Sequence, residues 1–125
     1  MKSILIIGLG RFGRHLCRKF MSLKNEVMIV DRDEAAVTTL ADEVTSAQIA
    51  DCTDENALRA LGVKNFDLCF VCIGSDFASS LLITSMLKDM GAARVVAKAS
   101  QDIHAKLLLR NGADEVVYPE RDSAE

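Results

Sequence analysis

The chain has 125 residues, of which 50% are hydrophobic and 26% are charged, and this balance predicts a single globular domain over residues 1–125 with a sizeable core. The formal net charge is −3 and no basic run occurs, so a nucleic-acid partner is not expected. No segment approaches the roughly 18 consecutive apolar residues that cross a bilayer, so direct membrane insertion is not expected either.

The first predicted element is a short apolar strand at residues 3–7, which runs into the sequence GLGRFG at residues 8–13. The run is too short for a helix and does not alternate, which is typical of a strand buried on both faces. In this G-x-G-x-x-G turn, Gly8 permits the tight bend, Gly10 lets a pyrophosphate approach the backbone, and Gly13 lets the next helix pack closely. The motif predicts a phosphate at the amino end of that helix, although a glycine-rich turn without a nucleotide remains an alternative.

A second apolar strand, at residues 27–30, ends in Asp31, which lies about 20 residues beyond the glycines. A carboxylate at that spacing is expected to hold ribose hydroxyls, and the alternative is a solvated loop acid. Arg32 could neutralise a 2′-phosphate, but Asp31 would repel one. We therefore expect NAD or an adenine nucleotide with a free 2′-hydroxyl rather than NADP.

Helical periodicity predicts a first helix at residues 11–23 and a second helix with Asp33 as its N-cap. Both helices should turn one apolar side toward the sheet. The residues expected on those sides are Phe12, Leu16, Phe20, Leu23, Val37, Leu40, Ala41 and Val44.

A third strand, at residues 47–50, should lead into a polar turn that contains Asp51, Cys52 and Thr53. Thr53 is the predicted N-cap of a short helix, and Gly62 is expected to end that helix. This turn follows the carboxyl end of a strand, so its side chains are candidates for contact with a ligand.

The fourth predicted strand, at residues 68–72, contains the only C-x-x-C sequence of the chain, Cys69 and Cys72. That spacing occurs in redox pairs, but residues three apart on a strand face opposite sides. We expect the cysteines to be reduced, mostly buried thiols in a reducing cytosol. A second turn of small residues follows the strand and opens onto the carboxyl edge of the sheet: Ile73, Gly74, Ser75 and Asp76.

The predicted helix at residues 77–90 carries large apolar residues on more than one face, which suggests burial of one face against a partner subunit. The remaining predicted elements are a strand at 94–99, a helix at 102–111 with Ile103, Leu107 and Leu108 facing inward and Gly112 at its end, and a strand at 115–118 that Pro119 stops.

Strands and helices therefore alternate, which predicts an α/β fold with a Rossmann-like, doubly wound, six-stranded parallel sheet of order 3-2-1-4-5-6. A ligand would lie across the carboxyl ends of strands one and four, where the strand order reverses. The loops expected there contain residues 8–13, 31–32, 51–53 and 73–75.

Four stretches together resemble the TrkA-N, or RCK, domain: GLGRFG at 8–13, VDRD at 30–33, DCTD at 51–54 and NGADEVVYPE at 111–120. The resemblance covers the whole chain, and the last two stretches make it more specific than the glycines alone. Ala50 departs from the pattern, because the family commonly has glycine before the aspartate. The full family module has a second lobe after a crossover helix, and we expect that lobe to be absent from this chain.

The resemblance implies a role for each matching position. The glycines would wrap the phosphates, Arg11 would lie beside the phosphate tail or reach a neighbouring subunit's site, and Asp31 would hold the ribose. Asp51 and Thr53 would border the adenine. Lys98 and Glu120 would approach the nucleotide or a nearby ion, with a solvated lysine and a surface acid as the alternatives. The candidate cofactor-binding residues are Gly8, Gly10, Arg11, Phe12, Gly13, Asp31, Arg32, Asp51, Cys52, Thr53, Ile73, Gly74, Ser75, Lys98 and Glu120.

The resemblance also implies a function: a cytoplasmic, nucleotide-binding regulatory subunit that gates a potassium uptake system or channel in response to NAD(H), ATP or ADP. Its partners would be further copies of itself, as a dimer or larger ring, and a membrane-embedded potassium transporter or channel subunit. We predict no catalytic residues, because no substrate domain accompanies the nucleotide motif. We predict no metal ligands, because a zinc site would need a second ligand pair and none has suitable spacing. Two alternatives stay open: a fragment of an NAD-dependent oxidoreductase, and a nucleotide-sensing adaptor lobe.

Overall fold

The computed structural model describes residues 1–119, in which six β-strands alternate with five α-helices. The strands are Ser3–Ile7 (β1), Glu26–Asp31 (β2), Ser46–Ile49 (β3), Leu68–Val71 (β4), Val95–Lys98 (β5) and Glu115–Val117 (β6). The helices are Arg11–Ser22 (α1), Glu34–Leu40 (α2), Glu55–Arg59 (α3), Phe77–Asp89 (α4) and Asp102–Arg110 (α5), with 3₁₀ turns at Ala41–Glu43 and Val63–Asn65. Within this part of the chain, none of the helices has the length and apolar character that crossing a membrane requires.

All strand pairs are parallel, and the sheet order is β3-β2-β1-β4-β5-β6, as the alternation of elements predicts. The order reverses at β1, which pairs with β2 on one side and with β4 on the other. Ile7, at the end of β1, is in register with Val30 and Val71. The carboxyl ends of these central strands therefore share one edge of the sheet, and the loops that follow them meet there.

The central strand β1 is covered on both faces, which explains why its residues from Ile4 to Ile7 are all apolar. Leu5 and Ile7 pack into one core cluster with buried residues of α3, α4 and α5. Ile4 and Ile6 pack into a second cluster with buried residues of α1 and α2. Helices therefore lie on both sides of the sheet in a doubly wound fold.

The cysteines follow the same division into two faces. Cys69 belongs to the first cluster and Cys72 to the second, so the two thiols lie on opposite sides of the sheet. All four cysteines are free and buried, as expected. The C-x-x-C spacing in this chain is therefore a feature of core packing.

Helix capping agrees with one prediction and corrects another. The Asp33 carboxylate accepts a 3.0 Å hydrogen bond from the Ala35 N–H and caps α2. Thr53 does not cap α3, because its hydroxyl donates to the Asp51 carboxylate at 2.6 Å. The next residue, Asp54, takes the N-cap position and accepts from the Asn56 N–H.

Three residues predicted to face the core are exposed. Leu23 is 61% exposed because α1 ends at Ser22 and the chain turns away there. Ala41 lies on the surface because the regular helix stops at Leu40 and a 3₁₀ turn follows. Ile103 is 56% exposed.

Ile103 is exposed because Ala105 and Leu108 form the buried face of α5.

Gly62 and Gly112 have φ angles of +69° and +129°, which suit glycine after a helix, as predicted. On α4, Ile83 and Leu87 are buried and Leu82 is 46% exposed.

Candidate functional site

A cavity with a volume of about 440 Å³ lies at the carboxyl edge of the sheet, where the strand order reverses. We call it the first cavity. Its wall comes from the loops after β1, β2, β3 and β4, with contributions from α4 and β5. The lining residues are Ile7, Gly8, Leu9, Gly10, Asp31, Arg32, Ala50, Asp51, Cys52, Thr53, Cys72, Ile73, Gly74, Ser75, Asp76, Ser79, Ile83 and Lys98.

The glycine-rich turn has the local geometry that its spacing predicts. Gly8 has a φ of +97°, and a Cβ there would lie 3.0 Å from the carbonyl carbon of Cys72. A Cβ on Gly13 would lie 2.0 Å from the carbonyl oxygen of Gly8, so only glycine lets α1 pack this closely. Gly10 differs, because a Cβ there would meet nothing within 4 Å. The space in front of Gly10 therefore opens into the cavity.

The amino end of α1 begins at this turn without a capping side chain. Gly10 is the N-cap residue, it makes no side-chain capping bond, and the first turn of α1 contains no acidic residue. The N-caps of α2, α3 and α4 are all aspartates that accept a backbone N–H. First-turn N–H groups lack acceptors within a helix, so the start of α1 is suited to an anion.

Asp31 is half-buried at the end of β2 and joins two of the loops. Its Oδ2 accepts a hydrogen bond of 2.8 Å from the Leu9 N–H, within the glycine-rich turn. Its Oδ1 accepts one of 2.9 Å from the Asp33 N–H. A carboxylate has about four acceptor positions, so Asp31 keeps acceptor capacity beyond these two bonds, and it lines the cavity.

The turn after β3 supplies a second carboxylate. Oδ1 of Asp51 accepts hydrogen bonds from the N–H of Thr53 at 3.0 Å and from its hydroxyl at 2.6 Å. These two bonds lower the pKa of the Asp51 carboxyl. Cys52 lies between Asp51 and Thr53 in the chain, and its buried side chain packs into the core under the cavity.

The turn after β4 brings a lysine against a glycine. A Cβ on Gly74 would lie 2.8 Å from Nζ of Lys98, so the missing side chain leaves room for the ammonium group. Asp76 follows as the N-cap of α4 and accepts from the N–H and the hydroxyl of Ser79. These bonds lower the pKa of Asp76.

Charges of both signs line the first cavity. Asp31, Asp51 and Asp76 contribute carboxylates, while Arg32 and Lys98 contribute cations. Anionic groups and hydroxyl-rich groups could therefore bind in different parts of the cavity. Across residues 1–119, no cluster of three or more His, Cys, Asp or Glu side chains is arranged to hold a metal ion.

The structure brings together most of the candidate residues and leaves three aside. The predicted residues that line the first cavity are Gly8, Gly10, Asp31, Arg32, Asp51, Cys52, Thr53, Ile73, Gly74, Ser75 and Lys98. Arg11 is exposed beyond the wall, Phe12 packs against the second core cluster, and Gly13 is buried beneath the turn. Glu120 lies outside the described residues.

Asp76 and Ser79 line this wall, although sequence reasoning placed Asp76 only in the turn after the fourth strand and named neither residue as a candidate for binding. The signal was available, because aspartate is a preferred N-cap residue and Asp76 directly precedes the helix predicted at residues 77–90. Three other missed residues, Ile7, Cys72 and Ile83, are core side chains that also reach the cavity floor.

The chain belongs to the TrkA-N domain family, which matches residues 4–119. Among curated proteins it is 43% identical over 123 residues to the Ktr system potassium uptake protein C of Bacillus subtilis, covering 98% of this chain and 56% of that protein. It is 39% identical over 121 residues to the Ktr system potassium uptake protein A of the same organism, covering 97% and 54%. The chain thus spans about half the length of these relatives.

Solved structures share the fold. The NAD(P)-binding domain of an exopolyphosphatase-related protein from Archaeoglobus fulgidus superposes with a TM-score of 0.86 at 25% identity, covering 99% of this chain and 92% of that one. The GsuK channel bound to NAD superposes with a TM-score of 0.81 at 20% identity, covering 93% and 21%. GsuK bound to ADP gives a TM-score of 0.83 at 20% identity, covering 97% and 32%.

Proposed function

We propose that this TrkA-N domain binds an adenine nucleotide or NAD(H) in the first cavity and serves as the cytoplasmic regulatory part of a membrane potassium uptake system or channel. The observation that carries the proposal is the hydrogen bond from the Leu9 N–H to the Asp31 carboxylate in the wall of one cavity. It fixes the position of a carboxylate suited to ribose hydroxyls relative to a glycine-rich turn suited to phosphates.

The residues of the glycine-rich turn fit the phosphates of such a ligand. Gly10 leaves open space where a side chain would stand, and α1 begins there with neither a capping side chain nor an acidic first turn. Backbone N–H groups at a helix start bind phosphate oxygens and favour negative charge. Gly8 and Gly13 act indirectly, since they shape the turn that presents those groups.

Asp31 would accept hydrogen bonds from the ribose hydroxyls, with its backbone bonds holding the carboxylate in place. A 2′-phosphate would meet this carboxylate at close range, so NADP should bind more weakly than NAD. Asp51, Cys52 and Thr53 would border the adenine at the far end of the cavity. Ile73, Gly74 and Ser75 would form the opposite rim, with Arg32, Lys98 and Glu120 as further candidate contacts.

The relatives support the regulatory part of the proposal. The curated proteins with the highest identity given above are potassium uptake proteins of Ktr systems. The GsuK channel shares the fold, and its structures hold NAD in one case and ADP in another. A role outside catalysis fits these relatives, and it fits the two cavity thiols, because burial raises the pKa values of Cys52 and Cys72 to about 12.

Regulation requires that the ligand bind two conformations with different affinity. We propose that copies of this chain assemble, and that occupancy of the first cavity changes how the assembly contacts its membrane partner. Leu82, half-exposed on α4, and Arg11, exposed at the start of α1, are the candidates for contact between copies.

The test has two steps. The nucleotide released when the purified protein is denatured is identified by mass spectrometry, and ATP, ADP, NADH and NADPH are then titrated into ligand-free protein by calorimetry. We expect saturable binding of an adenine nucleotide or NADH and weaker binding of NADPH. Absence of binding by all four would overturn the nucleotide assignment, and steady NADH oxidation with a small substrate would replace the regulator with an oxidoreductase.

A further inference from the structure

The solvent side of α1 is strongly basic, although the chain as a whole is acidic. Residues 1–25 contain six of the 15 lysine and arginine residues and none of the 18 aspartate and glutamate residues, while the net charge of the chain is −3. Positive charge is therefore concentrated at one end of the sequence. Apart from Arg11, these cations have no part in the function proposed above.

The helix gathers most of these cations on one side. Gly13, Leu16 and Cys17 are the buried residues of α1. Exposed positions recur three or four residues apart, so their side chains lie on a common face of the helix. We call it the basic face, and it consists of Arg11, Arg14, His15, Arg18 and Lys19 together with Lys24 just beyond the helix, all of them exposed.

Most of the charge on the basic face is not neutralised. Within residues 1–119, Arg18 is the only member of the face that makes an ion pair, with Glu43 at 3.1 Å. That pair is weak, because its side chains are 56% and 45% exposed. Cations one helical turn apart, about 5.4 Å along the axis, lie within the Debye length of about 10 Å at 0.1 M salt. Their potentials therefore add.

Two exposed apolar side chains lie beside the carboxyl end of the basic face. Met1 is 89% exposed and Leu23 is 61% exposed, the highest values among the large hydrophobic residues that the structure describes. The Lys2 N–H donates a 3.0 Å hydrogen bond to Oδ1 of Asn25, so the first residues lie next to the turn that follows α1. Basic and apolar groups are therefore neighbours on this surface.

This combination indicates the kind of partner. Lysine and arginine side chains bind anionic lipid headgroups, and apolar side chains beside them enter the boundary of the acyl region. The phosphate backbone of a nucleic acid attracts cations but gives exposed apolar side chains no comparable place to be buried. The cytoplasmic loops of membrane proteins are themselves rich in lysine and arginine, so they would repel the basic face.

From the basic face and the two apolar side chains beside it, we propose that α1 binds the anionic lipid surface around the membrane partner. The choice of a lipid surface rests on the proposed function at a membrane, whereas the separation of charge does not. The contact is peripheral, with no segment crossing the bilayer. Because α1 begins at the glycine-rich turn, this contact would also orient the first cavity relative to the membrane.

Sedimentation with vesicles tests the proposal. The 125-residue chain is mixed with vesicles of phosphatidylcholine alone and with vesicles of phosphatidylcholine and phosphatidylglycerol in equal parts. We expect binding to the anionic vesicles only, and a steep decrease toward 1 M salt, where the Debye length is about 3 Å. No binding to anionic vesicles, or equal binding to both kinds, would overturn the proposal. Tighter binding to a DNA duplex than to anionic vesicles would assign the face to nucleic acid and overturn it too.

Two triple variants of equal net charge separate the basic face from the charge of the whole molecule. The face variant is Arg18→Gln, Lys19→Gln and Lys24→Asn, with asparagine chosen because it tolerates the φ of +64° at Lys24. The control variant is Lys64→Gln, Lys106→Gln and Arg110→Gln, at three exposed positions outside the face. Circular dichroism confirms that both are folded.

The face variant should bind anionic vesicles about tenfold more weakly or worse, because each cation near an anionic surface contributes to affinity. The control variant should bind within about threefold of wild type. Equal losses in the two variants would mean that vesicles respond only to net charge, and would overturn the proposal.

Leu23→Ser tests the apolar part of the contact, with Leu109→Ser as its control. Leu109 is 49% exposed on α5, outside the basic face. Leu23→Ser should weaken vesicle binding about tenfold through the loss of apolar burial, and Leu109→Ser should not change it. Equal effects would reduce the contact to charge alone and overturn the choice of a lipid surface.

Calorimetric titration of ADP into the face variant separates this proposal from the nucleotide assignment. The three substituted positions do not line the first cavity, so ADP affinity should equal that of wild type. Nucleotide binding without vesicle binding in the wild-type protein would overturn the lipid contact alone. Vesicle binding without nucleotide binding would overturn the nucleotide assignment alone and support the lipid contact.

Discussion

The backbone N–H of Leu9 donates a 2.8 Å hydrogen bond to Oδ2 of Asp31, and this bond connects the glycine-rich turn after β1 to the end of β2. The other carboxylate oxygen accepts the Asp33 N–H at the start of α2. One side chain thus organises two loops of the first cavity. It also offers further acceptor positions toward the cavity, so the same carboxylate can position the turn and bind a ribose.

Asp31→Ala should therefore reduce both ligand affinity and stability. We expect affinity for ADP or NADH to fall tenfold or more, because hydrogen bonds to a carboxylate contribute about 1.5–3 kcal/mol each. The free energy of unfolding should fall by about 1–3 kcal/mol, because the Leu9 and Asp33 N–H groups lose their acceptor. Calorimetry and urea denaturation measure the two effects.

Asp33→Ala is the control for this substitution. Asp33 lies in the same loop and caps α2 through Ala35, but it does not line the first cavity. Its loss should cost about 1 kcal/mol of stability and leave affinity nearly unchanged. If Asp31→Ala behaves like Asp33→Ala in the binding assay, Asp31 is a structural loop acid only.

Gly10→Val tests the close approach of a phosphate to the turn. A Cβ at Gly10 meets no atom within 4 Å, and the backbone has an ordinary φ of −70°. The fold should survive, with stability changed by about 1 kcal/mol at most, while the branched side chain fills the space in front of the α1 amino end. Nucleotide binding should disappear while the circular dichroism spectrum stays that of wild type. Normal ADP binding would place the phosphate elsewhere.

Gly13→Ala should have the opposite outcome, although it adds a smaller side chain. The new Cβ would stand 2.0 Å from the Gly8 carbonyl oxygen, so α1 would have to move away from β1. We expect a loss of about 3 kcal/mol or more in unfolding free energy, measured by urea denaturation. Wild-type stability in this variant would mean that the close contact between α1 and the turn is not required.

The glycine roles were predictable because the spacing of G-x-G-x-x-G encodes local backbone geometry. The strand order was predictable because strands and helices alternate along the chain, and the apolar run from Ile4 to Ile7 indicated that β1 is covered on both faces. The cap of α3 was not, because Thr53 and Asp54 are both good N-cap residues and the choice depends on the nearby Asp51 carboxylate. Which of two neighbouring side chains caps a helix is decided by three-dimensional distances, which residue type alone does not contain.

A neighbouring cavity of about 390 Å³, whose wall includes Ser80 and His104, was also beyond the reach of sequence reasoning. Ser80 and His104 lie on different helices, and neither belongs to a recognisable motif. Their proximity results from the stacking of Phe77 on His104 and from the parallel pairing of β4 with β5. The exposure of Ile103 has a similar origin, because a short helix needs only Ala105 and Leu108 to cover its part of the sheet.

The buried thiols predict how stability depends on pH. Burial raises the pKa values of Cys52, Cys69 and Cys72 from 9.0 to about 12. Below pH 9 the thiols are protonated in both states, so their contribution to stability is fully present. As the pH rises from 9 toward 12, unfolded thiols release protons that folded ones keep, and stability should fall. The limiting slope is about 1.4 kcal/mol per pH unit for each thiol.

Urea denaturation at pH 8, 9 and 10 measures how the free energy of unfolding changes with pH. Cys69→Ala should make this slope smaller by the contribution of one thiol. Native protein should also react slowly with a thiol reagent at pH 8 and rapidly in urea, since the thiolate is the reactive form. Rapid modification of the native protein would show that the thiols are accessible. An unchanged slope in Cys69→Ala would exclude that thiol as a source of the pH dependence.

Arg11 provides the last prediction, which concerns discrimination between nucleotides. Its side chain is exposed at the first position of α1, next to the glycine turn but outside the wall of the first cavity. A guanidinium can bind a terminal phosphate with two hydrogen bonds, and from this position it could reach either its own ligand or that of an adjoining copy. Arg11→Ala should keep ADP and NADH affinity within about threefold and lower the preference for ATP over ADP by about tenfold.

Arg14→Ala is the matched control, because Arg14 is another exposed arginine of α1, about one turn farther from the glycine-rich turn. ATP, ADP and NADH are titrated into wild type and both variants by calorimetry, and transport is then followed with the membrane partner present. The Arg11 variant should no longer switch transport between ATP and ADP, because a ligand shifts a conformational equilibrium only by its difference in affinity for the two states. The Arg14 variant should switch normally. Unchanged ATP-over-ADP preference in Arg11→Ala would remove Arg11 from the mechanism and leave the first cavity to discriminate by itself.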